Sequence, residues 1–441
     1  MPGQVLPPKT NALLHELGQV FIRNIFLNLK GEPALKDPGH NFVVTVVLAR
    51  PNVTTFTQDT DESYELTVSK EKNSAVTALV NAFTYPGAAR GLETLLQLIT
   101  YDDVTGSLIV PSAVGITDRP AYPYRGVLLD TARTFFSVEA LKRLIDGLAA
   151  SKMNTFHWHI TDSHSFPFEL KSHPQLTQYG AYDKKKVYTH DDIRSLVHYA
   201  QVRGIRIVPE FDAPAHVGEG WSYIPPCGQL NPVSSKVYNV LSDIYSEMHE
   251  LFDSDLFHMG GDEVNMNCWN TTENMNRSDD DFHELWNSFQ QEALKRLETI
   301  NNGKQKPIIW TRQQLVLAVH PVAEGLRERP DEAPLGARSG RHPRHPEAGS
   351  GGGAALWTEQ ADEHNADSRL WPRAAALAER LWSDPQEGWE SAEHRFLHHR
   401  ERLVQRGLRP DFPLLLGYCY TWVLVAWKEA VSLLLFRSSS M

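Results

Sequence analysis

The sequence predicts an α/β fold: a (β/α)8 TIM barrel, incomplete, preceded by a small N-terminal α/β domain. Three observations predict it. From about residue 121 onward, short β-branched runs alternate with longer amphipathic stretches, as in a parallel sheet with helical crossovers. Polar residues collect just past the C-terminal end of each run, where the loops of a barrel build its site. The 441 residues leave room for roughly two to three domains at about 150 residues each.

The elements follow in order. Residues 41–49 (NFVVTVVLA) are β-branched and strand-like, and 63–68 (SYELTV) alternate as a half-buried strand does. Residues 87–98 carry helical apolar spacing in their second half, and 108–110 form another short strand. Pro111, Pro120 and Pro123 then punctuate a boundary, so the first domain is placed at 1–118.

The barrel domain is placed at 119–411, with strands at 127–129, 155–160, 205–211, 256–259 and 307–310. Helices at 138–150, 191–202, 236–251 and 282–300 separate them. Residues 312–353 are rich in Arg, Pro, Gly and Ala without a sustained period, a composition that reads as linker. A last strand at 354–357 precedes helices at 374–381 and 392–404. Each further strand-helix pair needs about 30 residues or more, so the gap is too short for the two that a closed barrel would require. Residues 412–441 form an apolar tail. Lys428-Glu429 interrupts it short of the ~20 apolar residues of a membrane span, so membrane insertion is not expected.

Composition excludes several classes. Hydrophobic residues are 41% and charged residues 22%, which excludes disorder over most of the chain. Forty-three basic against 54 acidic side chains give a net charge of −11, which disfavours nucleic acid as a partner. The 11 Trp suit either core packing or stacking on sugar rings. Three cysteines, Cys227, Cys268 and Cys419, exclude a disulfide framework and have no zinc-ligand spacing. No basic-then-apolar leader opens the chain, yet sequons stand at Asn52, Asn270 and Asn276. The expectation is either a cytosolic protein or a secreted one whose start is missing.

Candidate chemistry lies past the strand ends. Asp262-Glu263 follows a Gly-Gly turn, so the two carboxylates point to different sides of the backbone. One can act on a leaving group while the other orients a second part of the substrate; the alternative is a solvated loop or helix cap. His157 and His159 share one face of a strand, which also fits a metallohydrolase pair. Later strand ends add no further His, so no metal and no cofactor is expected. Asp212 and His216 fit a carboxylate that fixes an imidazole tautomer, or a capped loop. Arg133 offers a fork of donors for sugar hydroxyls, or a surface ion pair. Carboxylates, an Arg, a His and several Trp around one barrel mouth suit glycoside hydrolysis.

The chain resembles the family-20 glycoside hydrolases, the β-N-acetylhexosaminidases, especially the insect type that cleaves chitooligosaccharides. RGVLLDTAR from Arg125, NTFHWHITDSHSFPFEL from Asn154, EFDAPAH from Glu210 and HMGGDEVNMNCW from His258 carry the resemblance. ALWTEQ from Ala355 and LWPRAAALAERLW from Leu370 extend it, and TDESYELTV and RGLETLLQL match the family's non-catalytic domain. The resemblance implies removal of terminal β-linked N-acetylglucosamine or N-acetylgalactosamine from oligosaccharides or glycans, with the substrate's own acetamido oxygen as nucleophile. It implies Glu263 as general acid and then base, and Asp262 as the group that orients the acetamido. Arg133 and Asp162 are implied as the pair binding sugar hydroxyls, Asp212 and His216 as a relay to the acid. Trp310, Trp357 and Glu359 are implied as pocket-wall and hydroxyl-binding residues. It further implies a secreted or lysosomal location and a homodimer, which members often form. The family also places a Tyr that bonds the acetamido oxygen in the later loops, whereas no Tyr occurs here from 246 through 417. The rival reading is therefore an impaired or inactive sugar-binding homologue.

Overall fold

A computed structural model describes residues 6–29, 42–71, 75–217, 228–265, 268–269, 278–310, 327–328, 351–385 and 389–410. Helix α1 (Pro8–Leu27) opens the chain, where the sequence reading places no element. Its signal is Leu13, Leu17 and Phe21, spaced by four and all buried. Strands β1 (Phe42–Leu48), β2 (Tyr64–Lys70) and β3 (Val76–Ala82) follow. Helix α2 (Tyr85–Leu98) starts at Thr84, whose hydroxyl accepts the Gly87 N–H. A small hairpin of β4 (Thr100–Asp102) and β5 (Ser107–Ile109) leads into β6 (Ala113–Asp118). The sheet order is β1-β3-β2-β6, parallel only between β1 and β3. Helices α1 and α2 bury one face of this sheet around Leu66, Val80, Tyr85 and Leu95.

Tyr85 and Arg90 of α2 fasten this unit to the rest of the chain. The Tyr85 hydroxyl donates to the Val202 carbonyl at 2.7 Å. Arg90 donates to the Gly204 carbonyl at 2.7 Å and pairs with buried Glu62 at 3.1 Å. Arg125 takes the other Glu62 oxygen.

The second sheet is parallel and fully buried along β7 (Tyr124–Asp130), β8 (Thr155–His159), β9 (Arg206–Glu210) and β10 (Leu256–His258). It continues through β11 (Lys306–Trp310) and the two-residue β12 (Arg327–Glu328). Strand β13 (Gly351–Leu356) pairs with the opposite edge, Gly351 beside Tyr124 through Leu356 beside Leu129. The order is thus β12-β11-β10-β9-β8-β7-β13. Among the described residues no strand joins β12 to β13, so the architecture is an incomplete (β/α)8 barrel.

Helices α3 (Val138–Ala150), α4 (Pro174–Gly180), α5 (His190–Val202), α6 (Ser235–Leu251) and α7 (Asp279–Asn301) occupy the crossovers. Their starts are written locally: Ser137 caps α3, and Thr189 with Asp192 and Ser278 with Asp281 make capping boxes for α5 and α7. Helix α8 (Ala366–Ser383) begins eight residues earlier than the sequence suggests, because Pro372 is carried inside it. Its Trp371 ring occupies the space that a side chain on Gly147 of α3 would need. Helix α9 (Trp389–Gln405) ends the described fold.

Two expectations change. Cys268 is disulfide-bonded, so one bridge exists although the count suggested no framework. The linker-like stretch contributes β12; the rest of 312–350 and the tail at 412–441 lie outside the described residues. Among those residues no helix is long and apolar enough to cross a membrane.

Candidate active site

The C-terminal ends of the barrel strands converge on one cluster of charge. Asp130 closes β7, fully buried, and its Oδ1 accepts the N–H groups of Ala132 (2.9 Å) and Arg133 (3.1 Å). This turn aims Arg133 across the barrel mouth. The Asp130 Oδ2 accepts the Thr358 N–H at 3.2 Å, which docks the loop after β13. That loop brings Trp357 to the guanidinium of Arg133, 5.3 Å from its ring centroid.

Past β8, Asp162 receives Arg133 Nη2 at 2.9 Å, His159 Nε2 at 2.8 Å and His216 Nδ1 at 3.2 Å, all on one oxygen. Burial would raise its carboxyl, but the hydrogen bonds and charges of His159 and His216 hold it well below the usual range. The other ring nitrogen of His216, Nε2, faces Asp262 Oδ1 and Glu263 Oε2, each at 3.7 Å, and Asp212 Oδ2 at 3.9 Å. His216 therefore meets Asp162 at a shorter distance than the Asp212 that the sequence pairs with it. Burial opposes charge on the ring, but the Asp162 bond and the charges of Asp212, Asp162 and Asp262 outweigh it, and its pKa is pushed up to about 9.

The Gly-Gly turn after β10 sets the carboxylate pair. Gly260 has φ +66°, and a Cβ there would fall 1.8 Å from Asp212 Oδ1. Only glycine lets Asp212 lie this close to the turn. The same oxygen accepts the Gly261 N–H at 2.8 Å. Asp212 is fully buried beside Asp262, and burial together with that neighbouring negative charge pushes its carboxyl well up. Asp262 is raised by burial too. Glu263, at φ +51°, stands at the exposed edge with 38% of its side chain accessible.

Trp310 and Trp357 flank this cluster with centroids 6.1 Å apart. The Trp310 indole donates to Glu210 Oε1 at 2.8 Å and packs on the His258 ring at 4.4 Å. Glu359 is exposed at the rim and its charge acts on Arg133. The structure thus gathers Arg133, Asp162, Asp212, His216, Asp262 and Glu263, with Trp310 and Trp357 as walls. His157 and His159, the pair that also fitted a metal, both turn onto Glu210 Oε2, at 2.7 and 3.0 Å. Their donors group closely enough for an ion, yet each of these nitrogens meets a carboxylate oxygen. Sequence reasoning passed over Asp130 and Tyr182, whose hydroxyl donates to the Arg133 carbonyl at 2.9 Å.

Among the described residues, four buried polar atoms of the cluster have no hydrogen-bond partner: Arg133 Nε, His159 Nδ1, His216 Nε2 and Asp262 Oδ1. Leaving such atoms unpaired costs stability, so the cluster is suited to a polar ligand that supplies the partners.

Comparison with known proteins agrees with this chemistry. Residues 122–321 and 329–385 match the model of the glycosyl hydrolase family 20 catalytic domain, and 29–98 match the β-acetyl hexosaminidase-like domain. The chain is 41% identical to the chitooligosaccharidolytic β-N-acetylglucosaminidase of Bombyx mori, over 85% of this chain and 76% of that protein. It is 40% identical to the corresponding protein of Ostrinia furnacalis, over 93% and 84%. The solved chitobiase of Flavobacterium johnsoniae superposes with a TM-score of 0.71 at 26% identity, covering 90% of this chain and 68% of that one.

Proposed function

The chain belongs to glycosyl hydrolase family 20 and is a β-N-acetylhexosaminidase, and on that premise we propose which of its residues carry the reaction. Glu263 protonates the glycosidic oxygen as the bond to the anomeric carbon breaks. The acetamido oxygen of the same sugar attacks that carbon from the opposite face, giving an oxazolinium-like intermediate. Asp262 accepts the acetamido N–H and stabilises the developing positive charge. Glu263 then removes a proton from water, which opens the intermediate with retention, the substrate-assisted variant of glycoside hydrolysis.

The supporting observation is that Asp262 and Glu263 flank one imidazole nitrogen at equal distance, His216 Nε2 at 3.7 Å from each. The charge of His216 opposes the rise that burial imposes on the Asp262 carboxyl. Asp212, beside it, keeps Asp262 aimed. Arg133 and Asp162 hold sugar hydroxyls, Trp310 and Trp357 bound the ring, and Glu359 reaches a hydroxyl from the rim.

The substrate class is chitooligosaccharides or glycans with a terminal N-acetylglucosamine. A secreted or lysosomal setting is supported by the Cys268 disulfide and the exposed sequon at Asn52. A homodimer follows from family likeness, and light scattering of the purified chain tests it.

The deciding experiment is release of a chromophore from an aryl β-N-acetylglucosaminide at mildly acidic pH. Glu263→Gln is expected to lower kcat by about 10²- to 10⁴-fold. Absence of turnover in folded wild-type protein would overturn hydrolysis and leave the sugar-binding reading.

A further inference from the structure

The proposed mechanism makes no use of His159, although its motif is among the most distinctive in the sequence. It ends β8, 1% exposed, with its ring at the centre of the buried cluster. Its Nε2 lies 2.8 Å from Asp162 Oδ2 and its Nδ1 lies 3.0 Å from Glu210 Oε2. A neutral imidazole has one N–H and one lone pair. The Nε2 contact is a hydrogen bond, whereas Nδ1 has no aligned hydrogen-bond partner among the described residues and meets Glu210 as an ion-pair contact. A neutral ring sets a lone pair against one carboxylate; only the imidazolium faces both with positive charge.

The surrounding charges favour the same state. Asp130 at the end of β7 adds negative charge near the ring. Arg133 and His216 also pair with the Asp162 oxygen, and the rings of His157 and His258 also face Glu210. From Trp357 the ring receives an aromatic contact at 5.0 Å. Burial opposes the charge, but Glu210 and Asp162 outweigh it and hold the pKa of His159 well up.

Each carboxylate that His159 touches holds a different part of the site. Glu210 accepts the indole N–H of Trp310, one wall of the pocket. Asp162 faces His216, which in turn faces Asp262 and Glu263. We infer that His159 is a positioning residue for the hydrolysis, a doubly protonated ring that ties the Trp310 wall, through Glu210, to the acid, through Asp162 and His216. This inference rests on the proposed roles of Glu263 and Asp262.

Its test has two arms, both on the full chain. In the first, histidine is labelled with ¹⁵N and the His159 signals are assigned by their loss in His159→Gln, or in His159→Asn should the first variant not fold. Both ring nitrogens are expected to stay protonated from about pH 5 to about pH 9, where an ordinary histidine changes state. A neutral ring in that interval overturns the assignment.

In the second arm, kcat, KM and their pH dependence are compared for His159→Gln and His157→Gln. Both variants lose a contact to the same Glu210 oxygen. In His159→Gln the Asp162–Glu210 pair also loses its cation and takes up a proton, so Asp162 no longer holds His216 charged. The expected result is a kcat lowered about 10- to 100-fold, as for partners that orient active groups, with the alkaline limb moved to lower pH. His157→Gln is expected to keep the wild-type shape of the profile. Equal losses with unchanged profiles in both variants would reduce His159 to a packing role. The first arm needs no turnover, so a wild-type protein without activity overturns the proposed function while the spectrum still decides the state of His159.

Discussion

The molecule buries charge in two places, and the two clusters differ in how completely they are closed. Where the N-terminal unit meets the barrel, Glu62 is enclosed by Arg90, Arg125 and the Asn154 amide. The remaining donors of Arg125 reach the carbonyls of Tyr122 and Lys152 at 2.8 and 3.0 Å. At the barrel mouth the charges are less deeply placed, and among the described residues Arg133 Nε, His159 Nδ1, His216 Nε2 and Asp262 Oδ1 are left over. Two neighbouring carboxyls are also both raised there, whereas Glu62, the anion of the first cluster, faces two cations. A closed cluster fixes how two units dock. An open one is kept ready for a ligand that completes it, at a cost in folding stability.

The largest expected effect separates these roles. Glu62→Gln leaves two buried guanidinium groups without their counter-charge, and removal of one partner from a buried ion pair costs about 3–5 kcal/mol. Denaturant unfolding is expected to show that loss, while kcat of the remaining folded protein stays at the wild-type value. A stable Glu62→Gln protein, or one folded but inactive, would erase the distinction between the clusters.

The mirror-image variant is Asp262→Asn. Removing one group that stabilises developing charge lowers kcat by about 10²- to 10³-fold. The same change relieves Asp212 of a neighbouring negative charge, so the unfolding midpoint is expected to hold or rise. A fall in both activity and stability would mean that Asp262 serves the fold.

These two clusters also differ in how legible they were. The barrel strands lie within about three residues of where β-branched runs place them, because buried parallel strands are written as short apolar segments. Arg133, Asp212, His216, Asp262 and Glu263 follow from their position past strand ends, whereas Asp162, Trp310, Trp357 and Glu359 follow only from the family resemblance. Helix α1 was passed over although Leu13, Leu17 and Phe21 mark its face, because a weak amphipathic helix beside two prolines gives little local contrast. Strand β3 and β6 earned no notice for a related reason: half their residues face solvent, and pairing across the sheet defines them. The Glu62 cluster was invisible, since its members are 28, 63 and 92 positions apart in sequence and nothing local links them. Glu210 and His159 were quoted within motifs, but the sharing of one oxygen by two histidines appears only once β8 and β9 lie side by side.

The smallest expected effect concerns pH, and His216 gives the barrel mouth an alkaline loss beside the acid-side loss that its lowered carboxyls share with Glu62. Burial would raise the Glu62 carboxyl, but Arg125 and Arg90 hold it below its ordinary value. A lowered carboxyl contributes stability above its unfolded pKa, about 4.3, and loses it as pH falls through the folded value. His216 is the opposite case, raised to about 9. Its contribution is fully present below an unfolded pKa of about 6.5 and is lost as pH rises through about 9. Acid is therefore expected to weaken both clusters, since Asp162 at the mouth is held low as Glu62 is, and alkali the barrel mouth through His216. Unfolding midpoints measured across pH should show an acid-side decline that shrinks in Glu62→Gln. The alkaline limb of kcat should appear near the His216 value while the fold still holds, because only the open cluster depends on that proton for its chemistry. An alkaline limb that coincides with unfolding would instead make His216 part of the scaffold.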